Sequence, residues 1–348
     1  MEKIKVYAPI IIPTMCRYEH LKRCLETLSN CKYASSSDLI IGLDYPLAEC
    51  HKRGYNKICK YLADGIKGFS SVKVLRTYVN LGASKNIRRL KKYAVENFDR
   101  FIFTEDDNIF SPNFLEYMNV GLEKYKDNLG IFAICGYMYP IDNIDMFKSS
   151  FFKLQHFSAW GYGIWTDRNE IYESYKNRNR IKELLNNKFL ITKLKKNRFG
   201  EIINLLWMFK TENILGDSLS STILLHENKS VIFPKKTLVR NEGWDGSGIH
   251  GGIVKAYLKQ EIDISNGFKF EEVSNIIEST KINHLIYSYW KSYTPLYRKI
   301  LDRIIWIIFQ VSHKVYTFDS LLGLFKKIRK KYYVDFYEKK QDYFNSKT

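Results

Sequence analysis

Short apolar, β-rich runs alternate with amphipathic helical stretches through the first 135 residues, and this alternation constrains the fold more than any other feature. The runs fall at residues 6–12, 39–43, 72–75, 101–104 and 131–135; the helical stretches fall at 20–30, 49–63, 84–98 and after Pro112. Parallel strands need a crossover between them, usually a helix, so the pattern predicts an α/β fold with a mostly parallel, doubly wound sheet. In such sheets ligands collect beyond the carboxyl ends of the strands. Glu105, Asp106 and Asp107 stand in a row at one such end. Three adjacent carboxylates repel one another, so something positive must offset them.

With 348 residues, 45% of them hydrophobic and 15% aromatic, the chain can bury a sizeable core and is not a disordered segment. Its formal charge of +18 invites a polyanionic partner, a nucleic acid or a membrane surface, although a lysine-rich coding composition produces the same excess. Cys16, Cys24, Cys31, Cys50, Cys59 and Cys135 are scattered and form no C-x-x-C pair, which fits a reduced cytoplasmic interior. The amino terminus reads as a first strand, not a signal peptide, and the apolar run at 304–309 is far short of the roughly 20 residues that span a bilayer. A soluble or peripheral protein is expected.

Along an extended chain Glu105 and Asp107 would point to one side and Asp106 to the other. Hard carboxylate oxygens suit magnesium or manganese, ions that keep waters and take further ligands from phosphates. A nucleotide diphosphate is the natural partner. A solvated turn, or a cap for the helix after Pro112, explains the same residues.

The context favours the first reading. "FTEDDNIFSPNFLEYM", residues 103–118, resembles the EDD-x-x-x-x-P-x-F-x-x-Y segment of the GT-A glycosyltransferases related to the N-acetylglucosaminyltransferase I family and of bacterial sugar transferases like them. "PIIIPTMCRYEHLKRCLETL" is similar to that family's first strand, nucleotide-contacting arginine and first helix, and "LIIGLDYP" to the strand ending in its base-binding acid. The similarity covers the first 135 residues well and the next 120 loosely. It implies a GT-A (Rossmann-like) fold with a nucleotide-sugar-binding half at 1–150, an acceptor-binding and catalytic half at 151–260, and a helical basic region at 261–348. It further implies inverting, metal-dependent transfer from a UDP-sugar to a glycan or glycolipid acceptor, of the bacterial surface-polysaccharide type. Asp107 would coordinate Mn2+ (or Mg2+), Glu105 and Asp106 would hold sugar and ribose, and Arg17 would sit near uracil or phosphate. Asp44 can accept from the uracil N3–H. Arg17 as a surface ion pair and Asp44 as a turn residue before Pro46 are the plain alternatives.

Other segments supply further candidates. "NLGASKNIRR", residues 80–89, offers Asn80 and Lys85 as donor contacts, or an ordinary turn into a helix. Glycosyl transfer needs a base for the acceptor hydroxyl, and "NILGDSLSSTILLHE" offers Asp217. The resembling family places its catalytic aspartate in an equivalent helix-start segment, after an aromatic glycine-rich loop; Gly216-Asp217-Ser218 replaces its doubled acid. Asp217 also reads as a helix cap. In the glycine-rich "RNEGWDGSGIHGG", residues 240–252, a loop can close over a diphosphate; His250 there is a metal ligand or a polar contact, and Asp245 is the rival base. Trp160 and Trp165 in "FSAWGYGIW" suit a sugar platform or the core.

Between residues 295 and 333 apolar positions are interrupted by Arg298, Lys299, Asp302, Arg303 and Lys314, and Lys326 to Lys331 are strongly basic. A helix lying on an anionic membrane surface fits, at the inner face of the plasma membrane; so does a helical pair packed on the protein itself. Two competing functions are a nucleotidyltransferase on a similar sheet and a basic nucleic-acid-binding protein. The second leaves the acidic triplet repelling its ligand, so no nucleic-acid partner is expected.

Overall fold

The computed structural model describes residues 7–245, 258–265, 270, 273–292, 294 and 296–311. Eight strands form one sheet: β1 (Ile10–Thr14), β2 (Asp38–Leu43), β3 (Ser71–Arg76), β4 (Arg100–Phe103), β6 (Ile131–Cys135), β7 (Phe151–Leu154), β8 (Tyr162–Trp165) and β9 (Ser230–Pro234). Their order is β3-β2-β1-β4-β8-β6-β9-β7. β3, β2, β1 and β4 pair in parallel, as do β6 and β9. β8 and β7 run antiparallel to their neighbours. The expected mixed α/β architecture with a mostly parallel sheet is what forms.

Two details differ from expectation. The first strand begins at Ile10, where pairing with Leu39 and Ile102 starts; Val6 lies outside the described residues. The fifth run, β6, does not adjoin β4, because the antiparallel β8 lies between them. Tyr162–Trp165 reaches that place from the second half of the chain, so the two sequence halves share one sheet.

Helices α1 (Tyr18–Ser29), α2 (Glu49–Ala63), α3 (Ala83–Asn97) and α4 (Phe114–Lys124) provide the connections. In α1, Leu21, Cys24, Leu25 and Leu28 recur at helical spacing and are buried, which is why this stretch folds as a helix against the sheet. Alternation along β1 sends Ile11 into one core and Ile10 and Ile12 into the other, so the sheet separates two apolar layers. α5 (Thr166–Ser174), α6 (Arg178–Asn186), α7 (Lys188–Asn197), α8 (Phe199–Thr211) and α9 (Gly216–His226) follow, with α10 (Ile276–Ser292) and α11 (Leu296–Val311) packed on β7 and α8. The lysines and arginines between residues 176 and 198 lie largely on the solvated face of α6 and α7.

The chain places β2 and β3 on one side of β1 and then returns through α3 to place β4 on the other. This reversal opens a crevice at the carboxyl ends of β1 and β4, the place where open α/β sheets bind ligands. A second, two-stranded sheet pairs β5 (Asn108–Phe110) with β10 (Val239–Asn241) immediately beyond it.

Candidate active site

The acidic triplet lies in the turn between β4 and β5, at the mouth of that crevice. The turn changes the geometry expected of an extended chain. Instead of pointing to opposite sides, Asp106 and Asp107 converge on one residue, Arg17, at the start of α1. Arg17 Nη1 donates to Asp107 Oδ2 at 2.7 Å and Nη2 donates to Asp106. Thr14 Oγ1, at the end of β1, donates to Asp106 Oδ2 at 2.7 Å. The positive group that offsets the triplet in this structure is thus part of the protein. Burial disfavours the Arg17 charge, but the two carboxylates outweigh it and hold the guanidinium firmly protonated. Arg17 is not a surface ion pair, since both carboxylates it bridges are buried.

β10 completes the shell. Its pairing with β5 brings Asn241 opposite Asn108, and Asn241 Nδ2 donates to Asp107 Oδ1 at 2.7 Å. Gly243 packs so closely that a Cβ there would lie 2.0 Å from Asp107 Oδ2 and 3.2 Å from Arg17 Nη1. Any side chain must displace the carboxylate or the loop. We expect Gly243→Ala to lower the melting temperature by several degrees, the consequence of about 1–3 kcal/mol of overpacking; an unchanged melting curve in differential scanning fluorimetry contradicts this close approach.

Glu105 is half-buried. Burial pushes its carboxyl well above the ordinary range, and the charges of Asp107 and Asp217 push it further. The Asp217 charge therefore acts on the acidic turn. Asp217 sits in the first turn of α9, accessible to solvent, and its side chain makes no cap bond. The capping alternative is therefore set aside. Surrounding protein desolvates it, pushing its carboxyl up to about 6; the Ala159 backbone N–H and the Lys91 charge oppose this shift, and Glu201 adds to it. A carboxylate that titrates near 6 is ionised at neutral pH and still basic enough to take a proton.

Asp44, at the end of β2, is buried and heavily engaged. Its Oδ1 accepts from the Tyr45 and Leu81 amides and from Thr77 Oγ1, each at 2.9 Å, and its Oδ2 accepts from the Gly82 amide at 2.9 Å. Asp44 thus ties the 77–82 loop to the sheet, which neither the turn nor the base-contact reading anticipates. Asn80 Nδ2 donates to the Tyr45 carbonyl at 2.6 Å, beside Asp44. Lys85 is exposed on the first turn of α3.

The two tryptophans part company. Trp160 is half-buried at the crevice end of β8, edge-on to Tyr137 at 4.6 Å and to Trp244 at 6.4 Å between ring centroids. Trp165 is not a sugar platform: it pairs with Arg100 at the opposite end of the sheet, is 4% exposed, and donates from Nε1 to the Leu122 carbonyl at 3.1 Å. Asp245 is exposed, its Oδ2 3.1 Å from His20 Nε2. His250 lies outside the described residues, as do Lys314 and the basic stretch from Lys326.

The described residues contain no group of three or more His, Cys, Asp and Glu side chains able to hold a metal ion. Asp107 fits a divalent ion that takes its remaining ligands from a diphosphate and water, not one enclosed by protein. Its two oxygens already accept from Arg17 and Asn241, so such an ion must share Asp107 with them or displace one. Thr14, Asn241, Gly243, Lys91 and Glu201 were not among the expected site residues; nothing in their local sequence marks the long-range pairings that bring them here.

No protein-family model matches the chain, and no curated protein matches it. Among solved structures, Staphylococcus aureus TarS 1–349 is similar over 74% of this chain and 67% of its own, at 10% identity and a TM-score of 0.41. A longer S. aureus TarS structure matches 74% of this chain at 11% identity and a TM-score of 0.37, and this chain spans 41% of its length. The mannosyltransferase PcManGT from Pyrobaculum calidifontis, in complex with GDP-Man and Mn2+, is similar over 97% of this chain and 88% of its own, at 8% identity and a TM-score of 0.42. These likenesses are distant.

Proposed function

We propose that this chain is an inverting, metal-dependent glycosyltransferase that moves a sugar from a UDP-sugar to a glycan or lipid-linked acceptor. The observation that carries the reading is the buried acidic turn at the sheet's switch point, where Arg17 bridges Asp106 and Asp107; Asp217, an accessible carboxylate raised to about 6 whose charge acts on Glu105, supports it. The two groups divide the chemistry. As the acceptor oxygen bonds to the anomeric carbon, its proton passes to Asp217, and the bond from that carbon to the diphosphate breaks with its electron pair on the departing oxygen. Arg17 supplies positive charge where the diphosphate would lie, and Asp44 shapes the nucleoside side of the crevice by fixing the 77–82 loop. Asp107 would hold a divalent ion, which would supply charge to offset the departing diphosphate. Trp160 offers an aromatic face beside the cleft for a pyranose ring.

Thermal melting tests the donor site. UDP with Mn2+ at about 100 times its dissociation constant stabilises by about 2.7 kcal/mol, a rise of several degrees. The native protein should show this rise and Asp107→Ala should not; a native melting point indifferent to UDP plus Mn2+ rejects the proposal. Product analysis separates the nearest rival, since glycosyl transfer releases UDP and nucleotidyl transfer releases pyrophosphate.

A peripheral position at the cytoplasmic face of a membrane accords with α11. No helix among the described residues is long and apolar enough to cross a bilayer. α11 buries Ile305 and Trp306 on the body but leaves Leu296, Ile300, Ile304 and Ile307 at 72%, 51%, 47% and 58% exposure, with Arg303 exposed beside them. That outer face suits the headgroup region of an anionic bilayer. Co-sedimentation with phosphatidylglycerol vesicles, but not with phosphatidylcholine alone, is expected; equal recovery in both supernatants counts against it.

A further inference from the structure

β10 buries an amide where packing alone calls for an apolar side chain. Asn241 is 4% exposed, and Val239, two residues earlier on the same face of the strand, is fully buried. The strand does not need this amide to keep its place. Backbone pairing runs from Val239 opposite Phe110 to Asn241 opposite Asn108. Beyond it, the Leu238 amide donates to the Gly136 carbonyl at 2.8 Å, the Ser111 amide to the Leu238 carbonyl at 2.9 Å, and the Glu242 amide to the Asp107 carbonyl at 2.8 Å. A buried polar group costs free energy unless its partners are made, so the Asn241 side chain answers to something besides strand pairing.

Its partners show what that is. Nδ2 donates to Asp107 Oδ1 at 2.7 Å and to Asn108 Oδ1 at 2.9 Å, while Oδ1 accepts from the Gly243 amide at 3.1 Å. Asn108 is fixed in turn, its Nδ2 donating to Thr104 Oγ1 at 2.9 Å. Reversing the Asn241 amide would set its oxygen against two acceptors and its NH2 against an N–H, so one orientation alone satisfies all three partners. The two oxygens of Asp107 are thus held by unlike groups. Oδ1 meets a buried amide locked by its other bonds; Oδ2 meets Arg17 Nη1, on a long side chain that is 25% exposed.

We propose that Asn241 is a positioning residue of the candidate donor site: it holds Asp107 by Oδ1, so that Oδ2 is the oxygen given up to a divalent ion and Arg17 the group that moves. The proposal rests on Asp107 being the metal-binding residue of the function proposed above. The cost of each exchange decides between the two oxygens. Turning Asn241 away from Oδ1 also breaks its bonds to Asn108 and Gly243 and leaves buried polar groups unmade. Turning Arg17 Nη1 away from Oδ2 breaks one bond, while Nη2 still reaches Asp106.

The test compares the native protein with Asn241→Ala, following Mn2+ by its electron paramagnetic resonance in the presence of UDP. Losing the bond that orients a ligating carboxylate should weaken Mn2+ binding by about 10- to 100-fold. A variant that binds Mn2+ as tightly as native protein, even with a lower melting temperature, confines Asn241 to packing and overturns the proposal. A second readout needs no ligand. In NMR of labelled arginine, rotation of the Arg17 guanidinium, slowed by its two carboxylates, should quicken in Asn241→Ala; an unchanged rotation overturns the proposal. Should the variant not fold, the native protein alone decides: on addition of Mg2+ and UDP the Arg17 guanidinium signals should move and the Asn241 side-chain amide signals stay, and the reverse overturns the proposal. Native protein that binds neither UDP nor Mn2+, with the Arg17 rotation still responding to Asn241→Ala, would count against the glycosyltransferase reading and leave the hold of Asn241 on Asp107 standing.

Discussion

Asp217→Asn should bind UDP and melt like the native protein yet lose about 10²- to 10⁴-fold in transfer, the range that a positioned general base contributes. The change keeps the shape of the side chain and removes only its basicity. It also removes a charge that acts on Glu105, so no loss of stability is expected. The native rate should rise as pH increases through about 6, where Asp217 releases its proton, because only the ionised carboxylate can accept from the acceptor hydroxyl. Steady-state transfer assays across that interval, with UDP binding measured alongside, check both statements. Retained turnover in Asp217→Asn would move the base elsewhere, with Asp245 beside His20 as the first place to look.

Arg17→Ala should produce the largest stability loss of any single change at the site, about 3–5 kcal/mol, because it leaves two buried aspartates without their counter-charge. The deficit should depend on pH in a definite direction. Burial already raises the Asp106 carboxyl against the pull of Arg17, and losing that pull raises it further. The folded variant then holds a proton that the unfolded chain gives up near about 4, so its stability falls, relative to native, as pH rises through and above that value. Urea melts at neutral pH and at about pH 5 should therefore show a smaller gap at the lower pH. Arg17→Lys keeps the charge but loses the two-pronged geometry that reaches both carboxylates, and should fall between. Equal melting of Arg17→Ala and native protein at neutral pH would mean that the guanidinium does not neutralise the pair.

The same ion pair bears on donor binding. Under the proposed function, a diphosphate entering the crevice would meet an arginine already committed to Asp106 and Asp107, and a divalent ion at Asp107 would compete with that arginine for the carboxylate. The protein therefore holds its acidic turn partly neutralised without any ligand. This answers the question raised by three adjacent carboxylates and explains how the turn can be ordered and buried.

What the sequence conveyed was local. Helical spacing of Leu21, Cys24, Leu25 and Leu28, the β-rich runs and the acidic triplet at the end of β4 are patterns within a few residues, governed by backbone geometry and side-chain periodicity, and each is realised in the structure. The helix start at Gly216, with Asp217 in its first turn, is a local signal of the same kind. Asp106 and Asp107 do not alternate because the strand ends at Phe103 and a turn brings successive side chains to the same partner. Trp165 takes the core alternative for a related reason: composition marks an aromatic residue, but only strand direction decides which end of the sheet it occupies.

Sequence alone determined the α/β class and the strand-end position of the acids, since both follow from periods of two and of about 3.6 along the chain. Tertiary structure alone decided the rest of the site. The wedge of β8 between β4 and β6 and the pairing of β10 with β5 that brings Asn241 and Gly243 to Asp107 join residues far apart in the chain. Such contacts are set by how two apolar layers fill the space on either side of a sheet, and no periodicity within a single segment encodes them.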